Sequence, residues 1–558
     1  MVRVLVIGDD LRSFLAIVRS LGRNNIVVHA APFDFSSPAL ASKYVAAVHR
    51  LPPYALGAQD WLAELQHVVT QEKIDLIIPC DDRSVLPLHH HRADLSARVA
   101  VPNDEAMLAF FDKCETRALA TACGVPIAHG GPISEQLVAE IGLPLAVKPR
   151  RSMQLSGIGQ RGAVSIVRDD AALAKALASA QPPGEYFLEA FFVGDGVGLS
   201  VLADRGDILQ AFQHRRLQEA SETGGSSSRV SEAIHPALMS AVAAMCQKSR
   251  LTGVAMFEFR HDRVSDGFIL LEVNARFWGS LPLAVASGVE FPVLLCALLS
   301  GTPSPERCGY QIGVQRRDYS GEYYRILLEA ERGGSVMMRA TALMVALPQL
   351  WFAAARRPQQ FDSYAVDDLA PWRGERGRVR AALVGAVSSR LPVNARARAQ
   401  RSRQQLAEAL AERPLPRILF VCHGNICRSP FAAIALSARL GHDVIAESAG
   451  TIPRVGRPSP DDARAAALAH AVDVGSHRSR YVKVDTAKRA DVIFIFDNRN
   501  ALELSKLGIM PDKIIRLGDL IGKREILDPY GHGRAAFDRC YAEIDAAIDI
   551  IAAVMRAR

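Results

Sequence analysis

The chain has 558 residues, of which 49% are hydrophobic, 22% charged and 6% aromatic, with nine cysteines. That length exceeds what one core accommodates, and the composition excludes a disordered, collagenous or disulfide-framework chain. The net charge of +7 is concentrated: residues 373–417 carry eleven arginines against Glu375, Glu408 and Glu412, so the remainder is close to neutral. No nucleic-acid partner is expected from so local a charge. Sparse cysteines without C-x2-C spacing read as a reduced, cytoplasmic protein.

In chain order, Val2 to Ile7 and residues 75–82 are apolar runs ending in acids, separated by helical stretches at Leu11 to Leu21 and Trp61 to Thr70. Alternating strands and helices of this kind predict a parallel α/β layer over residues 1–101. His89, His90 and His91 follow, but adjacent side chains cannot share one helix or strand face, so no metal role is assigned. Residues 102–303 mix helices, amphipathic strands and Gly-rich turns, and 304–372 reads as a helical extension. Its apolar centre, Ala340 to Ala355, contains Pro348 and precedes Arg356 and Arg357. It reads as part of a buried helix pair, with an interfacial helix as the alternative. Residues 373–416 form an Arg-rich linker, helix-like from Ala399 to Glu412 and ending at Pro414 and Pro416. From Arg417 a second βαβ alternation runs to 558. The fold class is therefore α/β and multidomain.

Phe257-Glu258-Phe259 and Leu271-Glu272-Val273-Asn274-Ala275-Arg276 have the pattern of adjacent strands. Positions 272, 274 and 276 share a face, and Glu258 pairs across from them. Two carboxylates, an amide oxygen and a guanidinium suit Mg2+ beside a triphosphate; a solvated strand face is the alternative. Glu, thirteen residues, then Glu-x-Asn-x-Arg resembles the metal strands of the ATP-grasp superfamily, most like its carbamoyl-phosphate-synthase-like carboxylate ligases. The resemblance covers roughly residues 1–303. It implies an ATP-grasp domain behind a pre-ATP-grasp α/β layer, with Glu258, Glu272 and Asn274 as metal ligands and Arg276 beside the reacting charge. It further implies Lys113 and Lys148 as phosphate contacts, Glu189 at the nucleotide hinge, and a closing glycine loop from Arg151 to Gly162. The reaction implied joins a small-molecule carboxylate to an amine through an acyl phosphate, with ATP and Mg2+. His214 to Arg216 and Thr223 to Ser228 either contact the acceptor or are a basic turn and a plain loop.

Val421-Cys422-His423-Gly424-Asn425-Ile426-Cys427-Arg428-Ser429-Pro430 links an apolar strand to a helical stretch. A C-x5-R loop there turns its N–H groups toward an anion, favours the Cys422 thiolate, and lets Arg428 hold phosphoryl oxygens as a fork. The loop, Ser448-Ala-Gly-Thr451, Asp491 to Asn500 and Asp528-Pro529 together resemble the low-molecular-weight protein tyrosine phosphatases, over Arg417 to the end. The resemblance implies a doubly wound parallel sheet and a phosphocysteine on Cys422. It also implies thiolate stabilisation by Ser429, bracing by Asn425, and Asp528 as general acid, without a cofactor. Its substrate would be a phosphorylated protein or a small aryl phosphate. Ile452-Pro453-Arg454 stands where many relatives carry an aromatic wall, which leaves phosphotyrosine preference open. Cys427 is a redox partner of Cys422 or a packing residue.

Together these readings predict a bifunctional cytoplasmic enzyme. The alternatives are a phosphatase governed by a non-catalytic ATP sensor, and a scaffold that docks through the linker on an anionic partner.

Overall fold

The computed structural model describes residues 2–557 except 154, 156–157, 159–163, 222–223, 303–308, 333–335, 391–394, 412 and 507–512. It divides into two units, one formed mainly by residues up to Val379 and the other mainly by Arg380–Arg558.

The first unit opens with β1 (Arg3–Ile7), β2 (Val27–Ala31), β3 (Val45–Val48), β4 (Leu76–Pro79) and β5 (Arg98–Val99), all parallel in the order β3-β2-β1-β4-β5. Val4, Leu5 and Val6 are fully buried, as β-branched runs covered on both faces of a parallel sheet should be. A small antiparallel sheet follows, with β6 (Gly130–Pro132), β7 (Leu145–Pro149), β8 (Ser165–Val167) and β9 (Tyr186–Ala190) ordered β6-β9-β7-β8. A third sheet holds β10 (Asp195–Asp204), β11 (Asp207–Ser221), β12 (Gly224–Glu232), β13 (Gly253–His261), β14 (Phe268–Asn274) and β15 (Gln315–Arg317), ordered β14-β13-β10-β11-β12-β15.

Alternation along these strands sorts two faces. Val197, Leu199, Val201, Phe257 and Phe259 pack with Leu238, Val242 and Met245 of the helix Pro236–Ser249. Leu202, Phe212 and Met256 join the core of the N-terminal α/β layer instead. Glu258 shares the parity of Met256, so the carboxylates sit where the large sheet faces that layer.

The second unit is a parallel sheet of β16 (Arg417–Cys422), β17 (Ile445–Gly450), β18 (Val492–Ile495) and β19 (Ile514–Arg516), ordered β17-β16-β18-β19. One face packs Ile418, Phe420 and Phe494 against the helices Arg428–Leu440 and Arg534–Arg556; the other packs Leu419, Val421, Ile493 and Ile495 with Ala487 and Leu504.

The stretch read as an Arg-rich linker over 373–416 is organised differently. Helix Ala370–Arg390 begins inside the first unit, where Trp372 stacks on Phe361 with ring centroids 5.4 Å apart. Glu375 there accepts from Ser320 N at 3.0 Å and Ser320 Oγ at 2.7 Å, and burial, with help from Asp318, pushes its carboxyl up to about 7. Helix Ala395–Leu410 belongs to the second unit: Leu406 and Leu410 are fully buried in its core. Arg403 donates to the Leu520 carbonyl at 2.9 Å, and Arg398 lies 3.4 Å from Asp519. Two leucines four apart make one apolar helix face, a signal hidden by the surrounding arginines.

Helix Val336–Arg356 buries Leu347, Leu350 and Ala354 while Val345, Trp351 and Phe352 are exposed. Among the described residues no helix is long and apolar enough to cross a membrane.

Leu406→Ala is expected to destabilise the second unit by about 2–5 kcal/mol, read as a lower urea midpoint for its unfolding. Glu408→Ala on the exposed face should stay within about 0.5 kcal/mol of wild type.

Candidate active sites

Cys422 closes β16, and the chain turns through residues 423–427 into the helix Arg428–Leu440. The turn depends on Asn425, which is fully buried with φ of 52°, a left-handed conformation that Asn tolerates. Its N–H donates to Cys422 Sγ at 3.2 Å; its side-chain amide donates to Ser429 Oγ at 2.9 Å and Ser448 Oγ at 3.0 Å. Its Oδ1 accepts from Arg480 N at 2.7 Å, and its carbonyl accepts from His477 Nε2–H at 2.8 Å. Gly450 packs against this loop so closely that an added Cβ would lie 2.9 Å from the His423 carbonyl oxygen.

Ser429 Oγ lies 3.0 Å from Cys422 Sγ. Arg428 is buried; its Nη1 donates to Asp497 at 2.7 Å and the Ile526 carbonyl at 3.0 Å, and its Nη2 donates to Asp528 at 2.7 Å. Burial alone would lower its proton affinity, but Cys422, Asp528 and Asp497 outweigh this and raise it. Five expected residues thus meet at the loop: Cys422, Asn425 and Ser429 are joined by one set of contacts, Arg428 and Asp528 by another, and Cys422 lies within electrostatic reach of Arg428. Cys427 is buried, and burial pushes its thiol well up. His477 and Ser448 join the set around Asn425, and Asp497 joins the set around Arg428. Ser448 and Asp497 lay inside matched blocks, but His477 had no distinguishing neighbour in the sequence.

In the first unit, Glu258 and Glu272 are direct partners across β13 and β14, and Asn274 follows two residues on. Asn274 Nδ2 donates to Glu258 at 3.2 Å and Glu272 at 3.4 Å. Arg216 of β11 pairs with Glu258, and Lys113 Nζ lies 3.8 Å from Glu272. Burial pushes the Glu258 carboxyl up, only partly offset by Arg216. Burial would also raise Glu272, but Lys113, Lys148 and Asn274 overcome it and hold that carboxyl low. Arg276 donates to Asn274 Oδ1 at 2.9 Å and to Asp82 at 2.6 Å.

A small cleft is lined by Lys113, Glu272, Asn274, Asp82, Ser152 and Phe110, among others. Lys148 pairs with Glu189, which also accepts from Arg117 at 2.5 Å. Glu189 is therefore buried under two cations. Asp82 and Arg117 were not among the expected site residues, since each reaches its partner from a distant element; Arg216 lay in a stretch expected at most to contact the acceptor, and here it pairs with Glu258 instead. His214 is buried, and desolvation with Arg216 and Arg229 lowers it to about 3. Much of the glycine loop expected over Arg151 to Gly162, and Thr223 with the side chains of 224–226, lie outside the described residues. Oxygen donors with balancing cations on one strand face are a donor set that fits Mg2+.

The family described as low molecular weight phosphotyrosine protein phosphatase matches residues 417–557. A second, described as ATP-grasp in the biosynthetic pathway with Ter operon, matches residues 188–354. The low-molecular-weight protein-tyrosine-phosphatase Wzb of Salmonella typhi is 32% identical over 130 residues, 23% of this chain and 87% of the relative. The corresponding phosphatase Etp of Escherichia coli (strain K12) is 30% identical over 141 residues, 25% of this chain and 93% of the relative. Among solved structures, biotin carboxylase from Campylobacter jejuni has a TM-score of 0.44 at 16% identity, covering 56% of this chain and 74% of that one. N5-carboxyaminoimidazole synthetase from Staphylococcus aureus has a TM-score of 0.45 at 13% identity, covering 59% and 85%. The chain belongs, through its C-terminal unit, to the low-molecular-weight phosphotyrosine protein phosphatases, and it carries an ATP-grasp domain ahead of that unit.

Asn425→Ala removes two side-chain donors and the Arg480 acceptor together and leaves a non-glycine residue at positive φ. It is expected to lower kcat for aryl phosphate by about 10²-fold or more, with a smaller change in KM, in steady-state assays of the full chain.

Proposed function

We propose that this chain is a bifunctional enzyme: an ATP- and Mg2+-dependent carboxylate ligase joined to a phosphatase that works through a phosphocysteine. The observation that carries the phosphatase reading is the convergence of Cys422, Ser429, Arg428 and Asp528. The Cys422 thiolate attacks phosphorus as Arg428 holds the phosphoryl oxygens; an S–P bond forms and the ester P–O bond breaks. Asp528 gives its proton to the departing oxygen, then, as a carboxylate, takes one from water. That water oxygen bonds phosphorus, the S–P bond breaks, and inorganic phosphate leaves. Ser429 Oγ, 3.0 Å from Sγ, stabilises the thiolate both as it forms and as it is released. The substrate class is an aryl phosphate such as phosphotyrosine.

For the ligase half, the pairing of Glu258 with Glu272 beside Asn274 carries the reading. Those three residues would hold Mg2+, which when bound neutralises charge on the ATP phosphates. Lys113 and Lys148 contact phosphate oxygens, and Arg276 meets the charge on the activated carboxylate. A carboxylate oxygen attacks the γ-phosphorus, ADP leaves, and an amine displaces phosphate from the acyl phosphate. Lys113 is already beside the cleft; Lys148 must leave Glu189 to reach a phosphate, a change of partner that ATP would drive.

Cys422→Ser should abolish release of phosphate from an aryl phosphate, and Asp528→Asn should slow it by about 10²–10⁴-fold. Full activity in Cys422→Ser would remove the mechanism.

Glu272→Gln should eliminate ATP consumption provoked by pooled carboxylates and amines, followed by ADP release and mass spectrometry of the products. ATP that altered the phosphatase rate while no acceptor provoked turnover would replace the ligase reading with a nucleotide sensor.

A further inference from the structure

Among the described residues, two groups bring three histidine or carboxylate ligand atoms together outside the cleft. In the first, His29 and His49 stack with ring planes 11° apart and hydrogen-bond each other, Nδ1 to Nε2 at 2.9 Å, while Glu72 stands 3.9 Å from His29. One ring's N–H is spent on the other's lone pair, so this pair satisfies itself.

The second group is arranged differently. His261 ends β13, Asp266 lies in the turn between β13 and β14, and His235 immediately precedes the helix Pro236–Ser249. His261 Nε2 lies 2.7 Å and His235 Nε2 3.2 Å from the same oxygen, Asp266 Oδ1. All three atoms fall within 4.8 Å of one another. The turn sets the backbone from which Asp266 projects: Asp262 N donates to the Gly267 carbonyl at 2.8 Å, Asp262 Oδ1 accepts from Val264 N at 2.9 Å, and Asp266 takes φ of 58°. The His261 side chain is 8% exposed, His235 25% and Asp266 69%, so the cluster is walled by the sheet and open to water on one side.

We propose that His235, His261 and Asp266 form a binding site for a zinc-type divalent cation, separate from the oxygen-donor cleft. Two imidazole nitrogens and one carboxylate oxygen match the borderline character of such an ion, and water from the open side completes a tetrahedron. Mg2+ is a poor occupant because it demands oxygen donors in octahedral array. In the absence of a cation, ring hydrogens on Nε2 point at Asp266 Oδ1; with it, each hydrogen sits on Nδ1 and Nε2 offers its lone pair. The cation would tie the β13–β14 turn to the head of the helix Pro236–Ser249. Glu258 stands three residues along β13, roughly 10 Å from His261, so the staple would stiffen the hairpin that carries Glu258 and Glu272.

The test is calorimetric titration of chelator-stripped full-length Cys422→Ser protein with Zn2+ in excess Mg2+, the serine removing the reactive thiolate as a competing ligand. One Zn2+ site is expected that His235→Ala/His261→Ala weakens by about 100-fold or more, and that His29→Ala/His49→Ala leaves unchanged. Co2+ should give the visible bands of four-coordinate geometry, and these should vanish with the same pair. Should the His235/His261 double variant fail to fold, Asp266→Asn, on an exposed turn, must weaken Zn2+ by at least about 10-fold. Absence of Zn2+ binding by the parent protein, or a site indifferent to the folded variants, overturns the proposal.

Discussion

A buried charge has to be compensated, and each half of this chain is built around charges that its own fold could do without. Arg428, sealed beneath the cysteine loop, is held by Asp497 and Asp528. Glu258 is held by Arg216, Glu272 by Lys113, and Glu189 by Lys148 and Arg117. Burying such pairs contributes little net stability, because desolvation offsets most of their attraction. Their value is readiness: an arriving phosphoryl group or cation exchanges partners within a network already oriented, and little reorganisation is left for the chemical step.

The two halves reach this state by different backbone means. In the phosphatase unit a single residue in a left-handed conformation gathers the thiol, a hydroxyl, a neighbouring strand and an imidazole around itself. In the ATP-grasp domain the regular register of β13 and β14 does the gathering, since residues directly opposite share a face. The first arrangement is compact and centred on one short loop, although its outer partners come from as far along the chain as His477 and Arg480. The second draws on residues as far apart as Asp82 and Arg276, which meet only because the α/β layer lies against the large sheet.

That difference decides what could be read beforehand. The cysteine loop announces its own geometry, because ten consecutive residues specify strand, turn and helix start. Glu258, Glu272 and Asn274 were legible from period-two alternation. Asp82 and Arg117 were not, nor was the pairing of Arg216 with Glu258: each is one charged residue among many, and its partner is fixed by tertiary contact alone. His477 was hidden for the same reason, since its partner is a backbone carbonyl 52 residues away. The segment 373–416 misled in a further way. Its arginines dominate any average over the window, whereas the fold responds to the few side chains that leave water, Glu375, Leu406 and Leu410 among them.

The helix Ala395–Leu410 sets the extent of homology and the extent of folding apart. The family match starts at residue 417, yet the hydrophobic core of the unit already includes Leu406 and Leu410. A piece of chain outside the matched stretch is part of the interior. A phosphatase module cut at the homologous boundary would leave behind side chains that its own sheet expects to meet. The join is thus more than a peptide bond between two ready-made parts: the downstream unit takes two of its core leucines from the sequence that leads into it, so its boundary as a folding body lies upstream of its boundary as a family member.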